Sequence, residues 1–400
     1  MAGFVAQAVT GLGFWLLAAR LYDSDTVGLA TGLFASLQFV NYATAMGLQE
    51  MLSRYPDDGR DHSSALFTAS VVITVTTSAV GAAVYLGVVK SGATDSLLSV
   101  GTVMGGLLFF VLSAGAAIAL LVDVRLMSAR RWSLVFARLL ATGALRIPFL
   151  WVPAPVDDAL WLFIVMAAPI SLSGWFGLTV LPGLTRLRYS LTRAPTVVAA
   201  ARFAGINYVS HLAVLAPQFV LPVIVFLEVN PTDNANFYLA WTVASVAFIL
   251  PVTIGRVLLV EGSRVDNDDV SYARPALALA GGLMLIGFLA ALPLETLVVE
   301  LFGEEYRDVA RLLPILMAGG LPWAFTSIAL ARARIRHDHL SIVVMPVALA
   351  GAIVGLGLIL VPSNGIDGAA NAWFFGNLVA AGLAGVLVWH SRRTPLPSEA

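Results

Sequence analysis

Long uninterrupted runs of apolar residues fill most of the chain, and short segments rich in charged residues, Pro, Gly or Asn separate them. A bilayer's hydrocarbon core is about 30 Å thick and takes about 20 apolar helical residues, so each run can span it. The runs are continuously apolar instead of alternating, which excludes membrane β-strands. Twelve membrane-spanning helices are predicted, over residues 2–19, 26–49, 64–89, 97–122, 132–152, 158–183, 203–228, 236–260, 275–299, 309–331, 340–361 and 367–390.

Composition narrows the chemistry of this all-α, polytopic membrane protein. Of its 400 residues, 59% are hydrophobic and only 12% are charged, which leaves no room for a large soluble domain. The absence of cysteine excludes disulfides and thiolate metal sites. The only lysine, Lys90, does not follow a glycine, so the phosphate-binding loop of ATPases cannot form. His337-Asp338-His339 is interpreted as a solvated turn, and no metal, cofactor or nucleic-acid partner is expected.

The distribution of Arg and Lys predicts the orientation in the membrane. Seventeen of the 23 basic residues fall in one alternate set of connections between the predicted spans. Because basic residues stay on the cytoplasmic side, both termini are expected in the cytoplasm. The expected location is the plasma (inner) membrane of the cell. The first predicted span has neither a preceding basic region nor a small-residue cleavage site, so it is expected to be a retained helix.

Two halves with one plan are predicted. The longest cytoplasmic connection, residues 184–202, leaves six spans on each side, and the predicted lobes are residues 1–190 and 191–400. A shift of about 209 residues places Ser36 on Ser245 and Asp158 on Asp367. Repeats with an even number of spans share one orientation, so we expect two six-helix lobes around a central cavity. Three pairs are assigned to helix packing: Gly28 with Gly32, Gly101 with Gly105, and Gly351 with Gly355.

Three phrases, spread in order over almost the whole chain, carry a family resemblance. They are Leu17-Ala-Ala-Arg20-Leu21 with Val27-Gly28; Phe237-Tyr238-x-Ala240 leading to Pro251; and Leu301-Phe302-Gly303-x-x-Tyr306, then Arg332 to Arg336, then Pro362-x-x-Gly365-x-x-Gly368-Ala369-Ala370. By these phrases the chain resembles the polysaccharide flippase family, in the multidrug, oligosaccharidyl-lipid and polysaccharide exporter superfamily. The resemblance implies two six-helix lobes around a central cavity. It also implies a lipid-linked glycan substrate of the polyprenyl pyrophosphate type, with glycosyltransferases or a polymerase of the same pathway as partners.

Two arginines, Arg138 and Arg146, lie inside the fifth predicted span. Eight residues separate them, which is about 80° around a helix and about 12 Å along it. Arginine inside a membrane is costly and commonly functional, so both are expected to face a wet cavity and to bind the pyrophosphate of a lipid carrier. In the alternative interpretation, Arg138 extends to the cytoplasmic surface and Arg146 to the outer surface.

Polar residues form stripes on two further predicted spans and are candidates for binding sugar hydroxyls. They are Gln38 and Asn41 in the second span, Asn207, His211 and Gln218 in the seventh, and Gln7 in the first as the repeat counterpart of Gln218. Hydrogen bonding between helices explains the same stripes equally well. His211 could carry a proton, although packing is the better interpretation of a single histidine.

Three functions are compatible with this plan to different degrees. The first is a flippase that exports lipid-linked oligosaccharide or polysaccharide precursors by alternating access. The second is a proton- or sodium-coupled antiporter of drugs or metabolites, which needs a carboxylate inside the membrane. All 24 acidic residues are predicted in loops or near span ends, with Glu295 the deepest, which disfavours the antiporter. The third, a membrane enzyme, would need a long outer loop, and the predicted outer loops are short, so no enzymatic activity is expected.

Overall fold

The computed structural model describes residues 2–54, 61–89, 92–185, 187–190, 212–214, 216–262, 269–336 and 338–391. The α-helices in these parts are α1 (Ala2–Leu21), α2 (Ser24–Arg54), α3 (Asp61–Val88), α4 (Gly92–Leu98), α5 (Thr102–Ser128), α6 (Trp132–Ala144), α7 (Arg146–Phe149), α8 (Asp158–Leu184), α9 (Ala216–Glu228), α10 (Pro231–Gly262), α11 (Asp269–Ala291), α12 (Glu295–Phe302), α13 (Arg307–Ile335) and α14 (His339–Ser391).

The helices confirm the predicted all-α, polytopic membrane fold. Seven of the described helices are long and apolar enough to cross a membrane: α3, α5, α8, α10, α11, α13 and α14. α14 contains the last two predicted spans in succession. They are separated at Gly365, whose backbone leaves the helical region with φ 58° and ψ −137°. The predicted span over residues 132–152 is divided into α6 and α7, and the one over 275–299 into α11 and α12.

The chain consists of two compact units, Met1–Leu212 and Ala213–Ala400. The predicted boundary between residues 190 and 191 stays a prediction, because residues 191–211 lie outside the described parts.

The helices follow one another in the same order in both units. In each, two long helices are followed by a short one and then by a long central one: α2, α3, α4 and α5 in the first unit, and α10, α11, α12 and α13 in the second. Each short helix is followed within a few residues by a glycine with positive φ, Gly101 at 98° and Gly303 at 102°. Glycine adopts this conformation without the clash that a Cβ would cause.

Capping residues repeat as well. The Asp23 carboxylate accepts a hydrogen bond from the backbone N–H of Thr26 at 2.8 Å at the start of α2. The side-chain oxygen of Asn230 accepts one from the N–H of Asp233, also at 2.8 Å, at the start of α10. Both satisfy N–H groups that the first helical turn leaves without an intrahelical acceptor. α2 and α10 therefore begin with the same kind of side-chain cap.

The first unit is built around α5, which packs against α8, α2 and α3. The backbones of α5 and α8 approach so closely that a Cβ at Gly174 would overlap the carbonyl oxygen of Gly115. Nearby, the Ser171 hydroxyl and the Trp175 indole N–H both donate to the carbonyl oxygen of Val111, at 3.0 and 3.1 Å. Small residues allow this contact between membrane helices.

The predicted glycine pairs have different roles from one another. A Cβ at Gly105 would overlap the carbonyl of Leu97, so Gly105 does permit packing of α5 against α4. Gly101 instead supplies a positive φ. The packing prediction is wrong for Gly351 and Gly355, since a Cβ at either would have no neighbouring atom within 4 Å.

The second unit is built around α13, which packs against α10, α11 and α14. Its core contains the buried aromatic rings of Trp241, Phe248 and Trp373. The Trp373 ring stacks on Phe248 with centroids 4.8 Å apart and meets Trp241 edge-on at 5.0 Å. The Trp373 indole N–H donates to the carbonyl oxygen of Leu316 of α13 at 3.1 Å, which leaves no buried donor unsatisfied there.

We expect Gly174→Leu to lower the melting temperature, because the new side chain must push α8 away from α5; overpacking of this kind costs about 1–3 kcal/mol or more. Gly183→Leu on the same helix is the control, since a Cβ at Gly183 has no neighbour within 4 Å. Melting in detergent, followed by tryptophan fluorescence, measures both. Equal melting temperatures for the two variants would contradict this packing.

A second prediction concerns Asp23, whose pKa the N–H of Thr26 holds below the ordinary value. A carboxylate with a depressed pKa stabilises the folded state above its ordinary pKa, and this contribution is lost as pH falls through the folded pKa. Asp23→Ala should destabilise the protein by about 0.5–2 kcal/mol near pH 7. Asp23→Asn should keep the cap and remove its acid sensitivity. Melting curves at neutral and acidic pH compare the three proteins.

Candidate functional site

Buried charge is concentrated in α5, α6 and α7 of the first unit. These helices contain three arginines and one acid: Arg125, Arg138, Arg146 and Asp123. Asp123, Arg125 and Arg146 are 9%, 3% and 8% exposed, and the Arg138 side chain is 13% exposed. Three arginines and one acid of these helices are therefore largely removed from solvent. Ionisable residues inside a membrane protein are costly and usually serve a function.

Arg138 forms an ion pair with Asp123 that joins two helices. The Arg138 Nε donates to Oδ1 of Asp123 at 2.8 Å, and Nη2 donates to Oδ2. Nη1 donates to the Ser173 hydroxyl of α8 at 2.9 Å. Such a two-pronged arrangement is the strongest geometry for this pair of side chains. The guanidinium is thus held between α5, α6 and α8 of the first unit.

The acid of this pair follows the last residue of a predicted span, and the helix extends beyond it. The predicted fourth span ends at residue 122, but α5 continues to Ser128, so Asp123 lies about 7.5 Å before the end of a helix. Glu295, predicted as the acid deepest in a span, opens α12; its side chain is 67% exposed, and its Oε1 lies 3.5 Å from the Nε of Arg307. A paired carboxylate is tolerated within an apolar helix, so Asp123 does not end α5.

Arg146 lies where the predicted fifth span breaks. α6 ends at Ala144 and the four-residue α7 begins at Arg146. Pro148 has no N–H to donate back along the chain, which favours interruption of the helix here. α7 contacts α1, α6 and α8, and Arg146 is buried among the elements of the first unit. Binding of substrate by Arg138 and Arg146 stays a prediction.

Two residues of the predicted polar stripe in α2 contact each other. The Asn41 Nδ2 donates to Oε1 of Gln38 at 3.4 Å. Thr44, one turn further, lies 3.4 Å from the Ser78 hydroxyl of α3. The Oδ1 atom of Asn41 is buried and has no hydrogen-bond partner within the described parts. The stripe thus contributes hydrogen bonds within the unit and leaves one amide oxygen available to a donor.

The remaining candidates are placed only in part. Gln218 lies on α9 and is half-buried. Asn207, His211 and the side chain of Gln7 lie outside the described residues, so their binding role stays a prediction.

The interpretation of residues 337–339 as a turn is refined by Asp338, which caps α14. Its carboxylate accepts hydrogen bonds from the backbone N–H and the hydroxyl of Ser341, at 3.1 and 2.6 Å. Among the residues that the structure describes, no three His, Asp or Glu side chains come together as a metal site.

A long apolar groove runs between α6 and α8 beside the ion pair. Its volume is 740 Å³, within the range of pockets that take small molecules or cofactors. One wall is formed by residues of α8 from Trp161 to Leu184, and the other by residues from Leu134 to Phe149. Arg138, Thr142 and Ser173 are polar residues of its lining. Sequence reasoning missed the groove and Ser173, because neither leaves a signal in the apolar pattern.

The comparisons with known proteins establish a fold. No protein-family model matches the chain, and no curated protein matches it in sequence. A multidrug resistance transporter of the MATE family in the MOP superfamily, in its inward-facing conformation, superimposes with a TM-score of 0.73 at 15% identity over 97% of this chain and 94% of that one. The lipid II flippase MurJ, inward closed, gives 0.72 at 11% identity over 98% and 87%.

A MOP superfamily transporter from Pyrococcus furiosus, described as having a binding pocket of reversed polarity, gives 0.60 at 14% identity over 98% and 93%. At these identities the likeness concerns the fold alone. The chain therefore has the fold of MOP superfamily transporters, and its place in the polysaccharide flippase family stays a prediction.

We expect Asp123→Leu to destabilise the first unit strongly, because removing one partner leaves a buried charge uncompensated, at about 3–5 kcal/mol. The double variant Asp123→Leu with Arg138→Met should recover most of that loss. Glu304→Ala is the control, since its pair with Arg307 is exposed and such pairs contribute about 0–1 kcal/mol. Melting by tryptophan fluorescence measures all three. An Asp123→Leu protein as stable as the Glu304 variant would refute the pairing.

Proposed function

We propose that the protein is a flippase that carries a lipid-linked oligosaccharide or polysaccharide precursor across the plasma membrane by alternating access. The observation that carries the proposal is the presence of three buried or nearly buried arginines, Arg125, Arg138 and Arg146, in α5, α6 and α7. A polyprenyl pyrophosphate carrier is anionic, and arginine binds phosphate oxygens by paired, charge-assisted hydrogen bonds.

The glycan end of the substrate needs hydrogen-bond partners of another kind. The buried Oδ1 of Asn41 can accept a bond from a sugar hydroxyl, and the neighbouring Gln38 can exchange its present partner for the substrate. Gln7, Asn207, His211 and Gln218 are the further candidates for binding sugar hydroxyls. The fold likeness to a lipid II flippase over 98% of the chain is a further support for a lipid-linked substrate.

The proposal also includes the orientation of the protein in the membrane and its partner enzymes. Both termini would lie in the cytoplasm, and glycosyltransferases or a polymerase of the same pathway would supply or consume the substrate. Movement between leaflets makes and breaks no covalent bond, so the protein would act as a transporter and not as an enzyme.

An ion-coupled antiporter of drugs or metabolites is the second candidate, and Asp123 favours it. This buried carboxylate could take up a proton or Na⁺ while Arg138 moves away, which is the coupling that such transporters need. The fold likeness to a MATE family multidrug transporter supports the same candidate.

Arg146→Ala should lower the rate of flipping at least tenfold, because the phosphate loses a charge-assisted partner, while Arg146→Lys should retain part of the rate. The assay reconstitutes equal amounts of folded protein in liposomes with a fluorescent polyprenyl pyrophosphate glycan and measures its accessibility to an added glycosidase. An unchanged rate in the alanine variant would remove Arg146 from the site.

The same liposomes separate the two candidate functions. Transport of a cationic dye driven by a proton or sodium gradient, abolished by Asp123→Asn and accompanied by no glycan movement, would favour the antiporter and overturn the flippase. Glycan movement without dye transport would do the reverse.

A further inference from the structure

The groove between α6 and α8 is as long as the membrane is thick. Its α8 wall reaches from Trp161 to Leu184, which is a rise of about 34 Å. The hydrocarbon core of a bilayer is about 30 Å thick. Along this wall the lining residues recur every three or four positions, as on a single helix face: Ile164, Ala168, Leu172, Phe176, Val180 and Leu184.

The edges of the groove carry exposed apolar side chains. Leu172 and Phe176 on one edge and Leu145 and Phe149 on the other are exposed large apolar side chains. Exposed apolar side chains are unfavourable in water, so we expect these edges to face the hydrocarbon of the membrane. An occupant would therefore enter sideways from the membrane.

The polar groups in the groove suit a long uncharged chain that carries a hydrogen-bond acceptor at one end. In the middle, the charge of Arg138 is balanced by Asp123, so the wall offers no net charge to an uncharged chain. At one end, the indole N–H of Trp161 is buried and has no hydrogen-bond partner in the described parts. A buried donor of this kind gains by meeting an acceptor such as a phosphate oxygen.

We propose that this groove binds the isoprenoid chain of the lipid-linked substrate along its full length. The inference rests on the proposed function and names the part of the substrate that the first unit holds. Length favours this occupant: an acyl chain of a phospholipid spans one leaflet, which is half of the hydrocarbon core, whereas one polyprenyl chain is longer than a leaflet and fills the groove alone. The Trp161 N–H then faces the phosphate end of the chain.

The test uses the full chain in nanodiscs of phosphatidylglycerol and phosphatidylcholine. One probe is a polyprenyl phosphate with a photoreactive group in its chain, and the other is a phosphatidylglycerol with the same group in an acyl chain. After irradiation, mass spectrometry of the digested protein locates the labelled segments. We expect the polyprenyl probe to label α6 and α8, and unlabelled polyprenyl phosphate, but not excess phosphatidylglycerol, to compete.

Two alanines of α6 give a matched pair of variants. Ala141 and Ala144 are both exposed, but only Ala141 lines the groove. Ala141→Trp should reduce polyprenyl labelling at least fivefold, because the indole fills the groove, whereas Ala144→Trp should leave it within twofold. Equal effects of the two variants, or equal labelling by the phospholipid probe without competition by polyprenyl phosphate, would overturn the inference in favour of an ordinary lipid contact.

Labelling does not depend on transport, so the two proposals fail separately. Labelling of the groove in a protein that moves no glycan would contradict the flippase and keep the binding site. Glycan movement without labelling of α6 and α8 would contradict the binding site alone.

Discussion

Charge inside hydrocarbon must be compensated, and this constraint organises the first unit. Arg138 of α6 meets Asp123 of α5 and Ser173 of α8, so one guanidinium connects three helices. Apolar packing between membrane helices is not directional, whereas a two-pronged ion pair fixes their rotation and depth. The same pair keeps the wall of the long groove electrically neutral where an apolar chain would lie.

Arg125 and Arg146 add two further buried arginines to the same helices. An anionic headgroup is one ligand that suits buried arginines, and a coupling ion that exchanges at Asp123 is another. The fold is shared with proteins described as a flippase and as multidrug transporters, so it is compatible with both. The choice depends on the ligand that these charges bind.

Both units contain the same local features on different sequences. The caps at Asp23 and Asn230 and the positive-φ glycines Gly101 and Gly303 recur in corresponding places. The interiors differ: the first unit contains the ion pair of Asp123 with Arg138, whereas the described core of the second unit contains an aromatic cluster around Trp373 and the buried Arg332. A helical framework can thus be repeated while its chemistry diverges.

Hydrophobic pattern alone determined the helices, because twenty apolar residues in a bilayer leave the backbone few alternatives. It also located Arg138 and Arg146 as unusual, since charge stands out against an apolar run. Only the tertiary structure decided that Asp123 is Arg138's partner, that Ser173 joins them and that α6 and α8 leave a groove. Partners fifteen and thirty-five residues apart carry no shared periodicity. Their meeting depends on how the helices rotate and cross, which is fixed by packing and not by the pattern of any one helix.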